Sequence, residues 1–534
     1  MAIESSTIPH LQTRWYSPLS GVSIRRTPEP PRFIKEPPAR IVDPEADAEK
    51  AGTIIIDPSE EGRRTLRPRP SLDPNDPLNW PTWHKHRTYL TVCFFTFLAT
   101  ANATKFMQPA AQIAAEFQLS DKQVNFLTCF NILALGVGNL FWVPLMRVLG
   151  KRPVYLISLP ILVAANVWSW GTHDYKQLLA SSIFSGFASS AALATVPAIV
   201  TDLFYVHERG SVLMIFQMAI SSGMFLEPLI NSYVTQYASW RMTSEWMAIA
   251  AGATWLMAIF TVHETSYYNR EIYRPFTSFG RKHNFAQKLG MTIGYNKDQT
   301  FFAVLGESIA VLAYPSVLWS GLVIGVFAGW SIIAQIISQG AFTNPPYNYE
   351  QSFVGLFSIS GFIGATLSFF FGGKLLDIIS KRGTLFHKGR REPEYRLYPM
   401  IVPAIIGPMG LLLFGFMIAD TRFWLAPAVG FTMQAFGMTA ISNIVVTYVV
   451  DSYPPFAAEA MAVIFVIKGI IGAVLILYSI NWVEVAGMKQ AFGQMVGVQY
   501  FICLFVIAFL VFGKSIRAFT VRYGPMEWSG YGGN

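Results

Sequence analysis

The stretch Leu145-Met146-Arg147-Val148-Leu149-Gly150-Lys151-Arg152, and its recurrence as Leu375-Leu376-Asp377-Ile378-Ile379-Ser380-Lys381-Arg382, decide the fold class. Each closes an apolar run, and each ends on a basic pair at the same offset. A second signal repeats in the same order. Val200-Thr201-Asp202 leads to Glu208-Arg209-Gly210 and an apolar run, and Val449-Val450-Asp451 leads to Glu459-Ala460-Met461 and another. Signals matched in kind and order mark an internal duplication, so the chain is read as two like halves.

Outward from these markers, apolar runs of about twenty residues recur, each long enough to cross a hydrocarbon layer as a helix. They fall near 88–110, 124–146, 153–171, 177–202, 211–235, 243–263, 314–340, 351–376, 398–419, 423–450, 460–483 and 494–513. Composition agrees with that count. Only 13% of the 534 residues are charged and 52% are hydrophobic, too little charge to cover several water-soluble domains. The predicted fold class is therefore an all-α membrane protein of twelve transmembrane helices in two six-helix pseudo-repeats.

The net charge of +8 would suit a nucleic-acid partner in a soluble protein, but its placement excludes that class. Lys and Arg concentrate in the N-terminal segment and in every second connection. The intervening connections hold only Lys122, Lys176, Arg241, Arg422 and Lys489. Basic residues are retained on the cytosolic side, which predicts cytosolic termini. Residues 1–86 are Pro- and Arg-rich without an apolar period, and are expected to be a disordered cytosolic tail. The six-helix halves then occupy 87–263 and 314–514, joined by a cytosolic loop at 264–313 and followed by a tail at 515–534. No cleavable signal peptide is visible, so the first span is expected to act as its own insertion signal. Cys93, Cys129 and Cys503 each lie in an apolar run without metal-site spacing, and read as small buried hydrophobes. Asn102-Ala103-Thr104 matches a glycosylation acceptor but lies within a span, beyond the reach of the transferase.

The chain resembles the major facilitator superfamily, and within it the fungal drug:proton antiporter branch. The residues that carry the likeness are Asp76-Pro77-Leu78-Asn79-Trp80-Pro81, Phe141-Trp142-Val143-Pro144-Leu145 through Gly150-Lys151-Arg152-Pro153-Val154-Tyr155, Asp202-Leu203-Phe204 with Glu208-Arg209-Gly210, Arg391-Glu392-Pro393-Glu394, and Tyr448-Val449-Val450-Asp451-Ser452-Tyr453 with Glu459-Ala460. The chain departs from that family's pattern in three places. Val143 and Arg147 stand where a Gly and an Asp are usual, although the second copy keeps Gly373 and Asp377. Ser182 stands where an arginine precedes Gly186, and Glu227-Pro228 replaces a Gly-Pro pair.

What the resemblance implies for the helix ends is a conformational latch. A Lys or Arg among Arg147, Lys151 and Arg152 would meet Asp202, and Lys381 or Arg382 would meet Asp451, with Asp377 in the second copy. The same charges also serve topology alone, and that reading stays open. Inside the spans an ionisable side chain costs roughly 2.5–3.5 kcal/mol, so it persists facing a cavity or a partner. Lys105 and Glu227 stand at equal counts beyond Arg87 and Arg209, hence at similar depth. An ion pair between them is expected, or alternatively a carboxylate that takes up a proton. Lys468 lies nearer the middle. By the family's cavity-lining spans, Asn102, Gln108, Gln335, Gln339 and Asn443 would surround a polar substrate; interhelical hydrogen bonding is the plainer role for each.

The expected function is secondary active transport of a small organic compound by alternating access, as proton-coupled efflux of a metabolite or toxic compound. Proton-coupled uptake of a polar nutrient, such as a polyamine or amino acid, is the alternative, and a membrane sensor without flux is a third. All eight histidines lie in tails, loops or span ends, and no Gly-x-x-x-x-Gly-Lys-Ser/Thr occurs, so neither an enzyme nor an ATP-driven pump is expected. No cofactor is expected. The expected partners are the substrate, for which the excess of buried lysine favours an anion, together with protons and the bilayer. A monomer in the plasma membrane is expected, with the vacuolar membrane as the alternative site.

Overall fold

A computed structural model describes residues 54–55, 75–266, 299–386, 390–421 and 423–523. Among these described residues, ten helices are long and apolar enough to cross a membrane. Thr82–Thr104 and Arg241–Thr261 complete a set of twelve. In chain order these are α1 (Thr82–Thr104), α2 (Asp121–Leu149), α3 (Lys151–Gly171), α4 (Tyr175–Leu203), α5 (Arg209–Tyr237) and α6 (Arg241–Thr261). The second half comprises α7 (Pro315–Thr343), α8 (Gln351–Phe386), α9 (Ile401–Ala419), α10 (Leu425–Ser452), α11 (Ala457–Ala486) and α12 (Met488–Tyr523).

Boundaries follow local chemistry. Ser120 opens α2 with a capping box closed by Gln123, and Asp174 caps α4. Gly150 separates α2 from α3 at φ 101°, a conformation that a side chain would strain. Close approach also requires a glycine there, because a Cβ on Gly150 would lie 2.5 Å from a Glu264 carboxylate oxygen. Proline inside α2, α3, α4, α5 and α9 is tolerated because neighbouring helices surround the freed backbone groups.

The packing repeats between the halves. In the first, α1 packs on α5, α2 on α4, and α3 on α4 and α6; in the second, α7 packs on α11, α8 on α10, and α9 on α10 and α12. Each contact maps onto its counterpart six helices later. Across the halves, α2 meets α11 and α5 meets α8, again as an equivalent pair. Gly136 and Gly469 bring the α2 and α11 backbones together, since a Cβ on Gly136 would fall 2.9 Å from the Gly469 Cα. Burial ranks the helices from centre to rim. The apolar windows of α10, α7 and α4 are 94%, 89% and 83% buried, against 33% for α12, so the first three are central.

Three departures from the expected organisation appear at the connections. The tail expected for 1–86 lies largely outside the described residues, but structure begins ahead of 86. Asp76 caps a turn at Pro77–Asn79, the Leu78 carbonyl accepts from Lys85 Nζ at 2.9 Å, and α1 starts at Thr82. Ile54–Ile55 also pairs antiparallel with Arg390–Arg391. Within the loop expected at 264–313, residues 267–298 are outside the described set, whereas Phe301–Ala310 is a helix packed on α2, where Phe301 meets the Phe141 ring. The last helix continues past 513 to Tyr523, and 524–534 are not described.

Candidate functional site

The helix ends that carry Arg147, Lys151 and Arg152 form one face of the bundle, here called the basic face. Lys151 and Asp202 form the expected ion pair between α3 and α4, and Lys151 Nζ also donates to the Ala198 carbonyl at 2.8 Å. The other two basic residues of the cluster reach further partners. Arg152 donates to the carbonyls of Val262 (2.6 Å) and Ile259 (2.9 Å) at the end of α6. The backbone amides of Lys151 and Arg152 donate to Glu264 at 3.0 Å each, placing a carboxylate on the α3 N-terminus, where the helix dipole favours it.

Arg147 reaches across the halves to Glu459 of α11, with contacts of 2.6 and 3.0 Å. Arg147 lies on the face of α2 that meets α11, so it reaches a residue of the other half, while Lys151 supplies the basic contact expected for Asp202. In the second copy, Asp377 of α8 reaches α5 across the halves. It accepts from the backbone amide of Ser211 (2.9 Å) and from its hydroxyl (2.7 Å), and lies 3.3 Å from Arg396. Asp451 pairs with Arg396 at 2.5 Å and Arg209 at 3.7 Å, not with Lys381 or Arg382. Helical period explains that correction. Leu376, Ser380 and Thr384 hold the buried stripe of α8, which leaves Lys381 and Arg382 exposed on its other side.

Arg396 is the residue that sequence reading missed. It is 1% exposed, joins Asp377 to Asp451, and donates to the Val206 carbonyl of the first half at 3.0 Å. Its signal was the neighbouring Glu392-Pro393-Glu394, whose carboxylates hold the buried Arg517 of α12 at 2.8 and 2.7 Å. An arginine so close to that acidic pair is a candidate for the same buried network.

The first half holds a polar cluster with Lys105, at the C-terminal end of α1, Asn166, Glu227 and Asn231, all fully buried. Lys105 Nζ donates to Asn166 Oδ1 at 2.7 Å. Glu227 accepts from Thr104 at 2.8 Å and from Asn231, which also donates to the Lys105 carbonyl at 3.1 Å and accepts from Trp246 at 2.9 Å. Lys105 and Glu227 thus share one cluster but form no ion pair within 4 Å, a correction to the expected pair. Equal depth was right, but azimuth differs, because Lys105 turns toward α3 and Glu227 toward Thr104. Ser182 offers no charge to the core and binds α4 to α2, donating to the Leu127 carbonyl at 2.9 Å.

On the face opposite the basic one, the halves meet again. Gln339 of α7 and Gln351 of α8 both donate to the Gln108 carbonyl, at 3.1 and 2.6 Å. Ser352 donates to Gln236 at 2.8 Å. Beside them Glu116 holds Arg241 at 2.6 Å and accepts from Trp240 at 2.5 Å; the hydrogen bond from Arg241, above all, lowers its pKa below the usual carboxylate value.

Between these two closed ends, several buried or half-buried groups lack a partner. Asn102 donates to Ser189 at 3.4 Å while its Oδ1 is unpaired, and both amide atoms of Gln335 are unpaired. Lys468 makes no hydrogen bond or ion pair among the described residues and sits 5.8 Å from the Phe465 ring. Asn443, expected with them, belongs instead to the basic end. Its amide donates to the carbonyls of Gly210 (3.1 Å) and Gly372 (2.5 Å), the second lying in a π-helical turn of α8 at Phe370–Lys374. Two apolar clefts lie elsewhere. Phe130, Phe141, Phe184 and Phe301 help line one, Pro160 and Trp255 the other, and neither includes these polar residues. Among the described residues no group of three His, Cys, Asp or Glu is placed to hold a metal ion.

Two six-helix repeats that close on each other at both ends around a polar interior define a membrane carrier architecture. The chain belongs to the Major Facilitator Superfamily, whose family model matches residues 90–476. An uncharacterized MFS-type transporter of Schizosaccharomyces pombe is 24% identical over 92% of this chain and 95% of its own. The efflux pump radE of Floropilus chiversii is 23% identical, covering 88% of each. Among solved structures, the proton:xylose symporter XylE superposes with a TM-score of 0.58 at 13% identity, over 81% of this chain and 97% of its own, a likeness of fold. The protein is therefore a multi-pass membrane protein of a transporter family.

Proposed function

We propose that the protein is a proton-coupled secondary transporter that exports a small organic compound across the plasma membrane, with its basic face in the cytosol. The observation that carries this reading is the pairing of closures. Contacts between halves at Arg147–Glu459 and Asp377–Ser211 on one face, and at Gln339–Gln108 on the other, bracket an interior whose polar groups are unsatisfied. Alternating access needs that arrangement, because each closure must form and break as the halves rock about a site between them. The basic face is cytosolic by the retention of Lys and Arg on that side.

Proton coupling rests on Glu227. Its carboxylate is fully buried, held by neutral donors from Thr104 and Asn231 and matched by no cation in contact. A proton arriving there cancels a buried charge, and one leaving restores it, so occupancy is tied to access from either side. Export is supported by the likeness to a relative named as an efflux pump. Reconstitution in proteoliposomes under an imposed pH gradient tests the reading. Uphill movement of a substrate is expected from the unaltered protein. Glu227→Gln should retain exchange but lose accumulation; accumulation undiminished in that variant contradicts the coupling role.

A further inference from the structure

The position of Lys468 around α11 decides what it faces. At about 100° per residue, neighbours on the helix assign its sides. Gly469 and Gly472 abut α2, where a Cβ would fall 2.8 Å from Gly136 and 3.2 Å from Ile132. Ile467, Ile471 and Leu475 abut α7, filling the notches at Gly321, Gly325 and Gly329. Ile470, Val474 and Tyr478 are the exposed side. Lys468 therefore projects between α2 and α7, away from the exposed side and toward central α4, which α11 also contacts. It is half-buried, at a depth of about 13 Å from Glu459 along the helix.

Among the described residues no carboxylate pairs with it. Glu459 is taken by Arg147, Asp451 by Arg396, and Glu227 sits in the first half's own cluster. An ammonium held this deep without a counter-charge is costly unless one arrives from outside the chain. Further along the same interior, Gln335 is 3% exposed with neither amide atom paired. One turn beyond it, Gln339 reaches the other half at Gln108, so Gln335 is on the face of α7 turned to the space between halves. Gly325, which abuts the Lys468 backbone, is ten residues before Gln335, or about 15 Å along the helix.

We propose that this interior is a binding site for an elongated organic monocarboxylate, with the carboxylate on Lys468 and a distal hydrogen-bonding group on Gln335. The site rests on the transport reading above and adds the substrate's chemical class. A carboxylate supplies the missing counter-charge, and an amide with free donor and acceptor accepts a hydroxyl, carbonyl or amide at the far end.

Binding of 6-hydroxyhexanoate, 10-hydroxydecanoate and 4-hydroxyphenylacetate, each beside its methyl ester, to the purified full-length protein tests this by ligand-induced thermal shift. At least one acid is expected to bind about tenfold or more tighter than its ester, a difference of about 1.4 kcal/mol. Lys468→Met should abolish that preference and Lys468→Arg retain it, while Gln335→Leu should weaken acid and ester alike. Thermal unfolding without ligand checks that each variant is folded. Esters that bind as well as acids, a preference that survives Lys468→Met, or no binding by any acid would overturn the site. Acid binding with no flux of the bound acid in proteoliposomes would instead contradict the transport reading and leave the anion site standing.

Discussion

Arg147 and Asp377 occupy equivalent places in the two halves, one on α2 and one on α8, yet they carry opposite charge. Each faces the first turn of a helix in the other half: Glu459 is the third residue of α11, and Ser211 the third of α5. In the second copy, Asp377 brings a carboxylate to the α5 N-terminus from outside and accepts its backbone amide. In the first copy the carboxylate is built into the helix as Glu459, and Arg147 meets it. Both arrangements end with negative charge at a helix N-terminus, where the dipole stabilises it. The lesson is that the departure at Arg147 is compensated across the halves, so a latch survives with its polarity reversed.

The deeper layers differ as well. The first half buries Lys105 and Glu227 among hydrogen-bonding partners, whereas the second buries neutral amides. Gln434 donates toward the Phe327 carbonyl at 3.4 Å and accepts from Gln499 at 3.4 Å. Charge chemistry thus concentrates in one half, and Lys468 lies on the helix that joins the other half to it.

The comparison can be broken most severely at Arg396. Arg396→Met leaves Asp377 and Asp451 facing each other without their shared buried cation, and a loss of about 4 kcal/mol of stability is expected; thermal unfolding of the purified protein measures it. Arg147→Asp comes next, since it sets two carboxylates together at Glu459, with an expected loss of about 3 kcal/mol. Adding Glu459→Ser rebuilds the second copy's chemistry in the first, and should recover most of that loss. Failure to recover would mean that the two latches are not equivalent.

Lys151→Met acts within one half at a partly exposed pair, so about 1 kcal/mol is expected, with little change in the contacts between halves. The smallest effect is at the opposite face. Glu116 has a lowered pKa, so the stability it contributes is present above the ordinary carboxylate pKa and is lost as pH falls through its own lower value. Arg241→Gln should remove that acid-range dependence, as read from unfolding temperature against pH.

Most of the fold was legible because twenty apolar residues have few alternatives to a membrane-spanning helix. The Lys151–Asp202 pair was legible too, since it joins two helix ends of one half. Arg147–Glu459 was not, because it depends on the close approach of α2 and α11 at Gly136 and Gly469, which no local pattern encodes. Lys105 and Glu227 were placed at the right depth, but depth leaves azimuth free, and neutral partners stood closer. Asn443 was misplaced for a related reason: a π-helical turn in α8 frees a carbonyl beside it, and periodicity read from sequence assumes no such turn.

The central claim is that two latches of opposite polarity hold the basic face closed. Spin labels at Glu208 and Lys381, exposed positions in the two halves, report the separation of that face by double electron–electron resonance. The account predicts one short distance in the otherwise unaltered protein, a shift toward longer distances in Arg147→Asp, and a return to the short distance when Glu459→Ser is added. A distance distribution that Arg147→Asp leaves unchanged would contradict it.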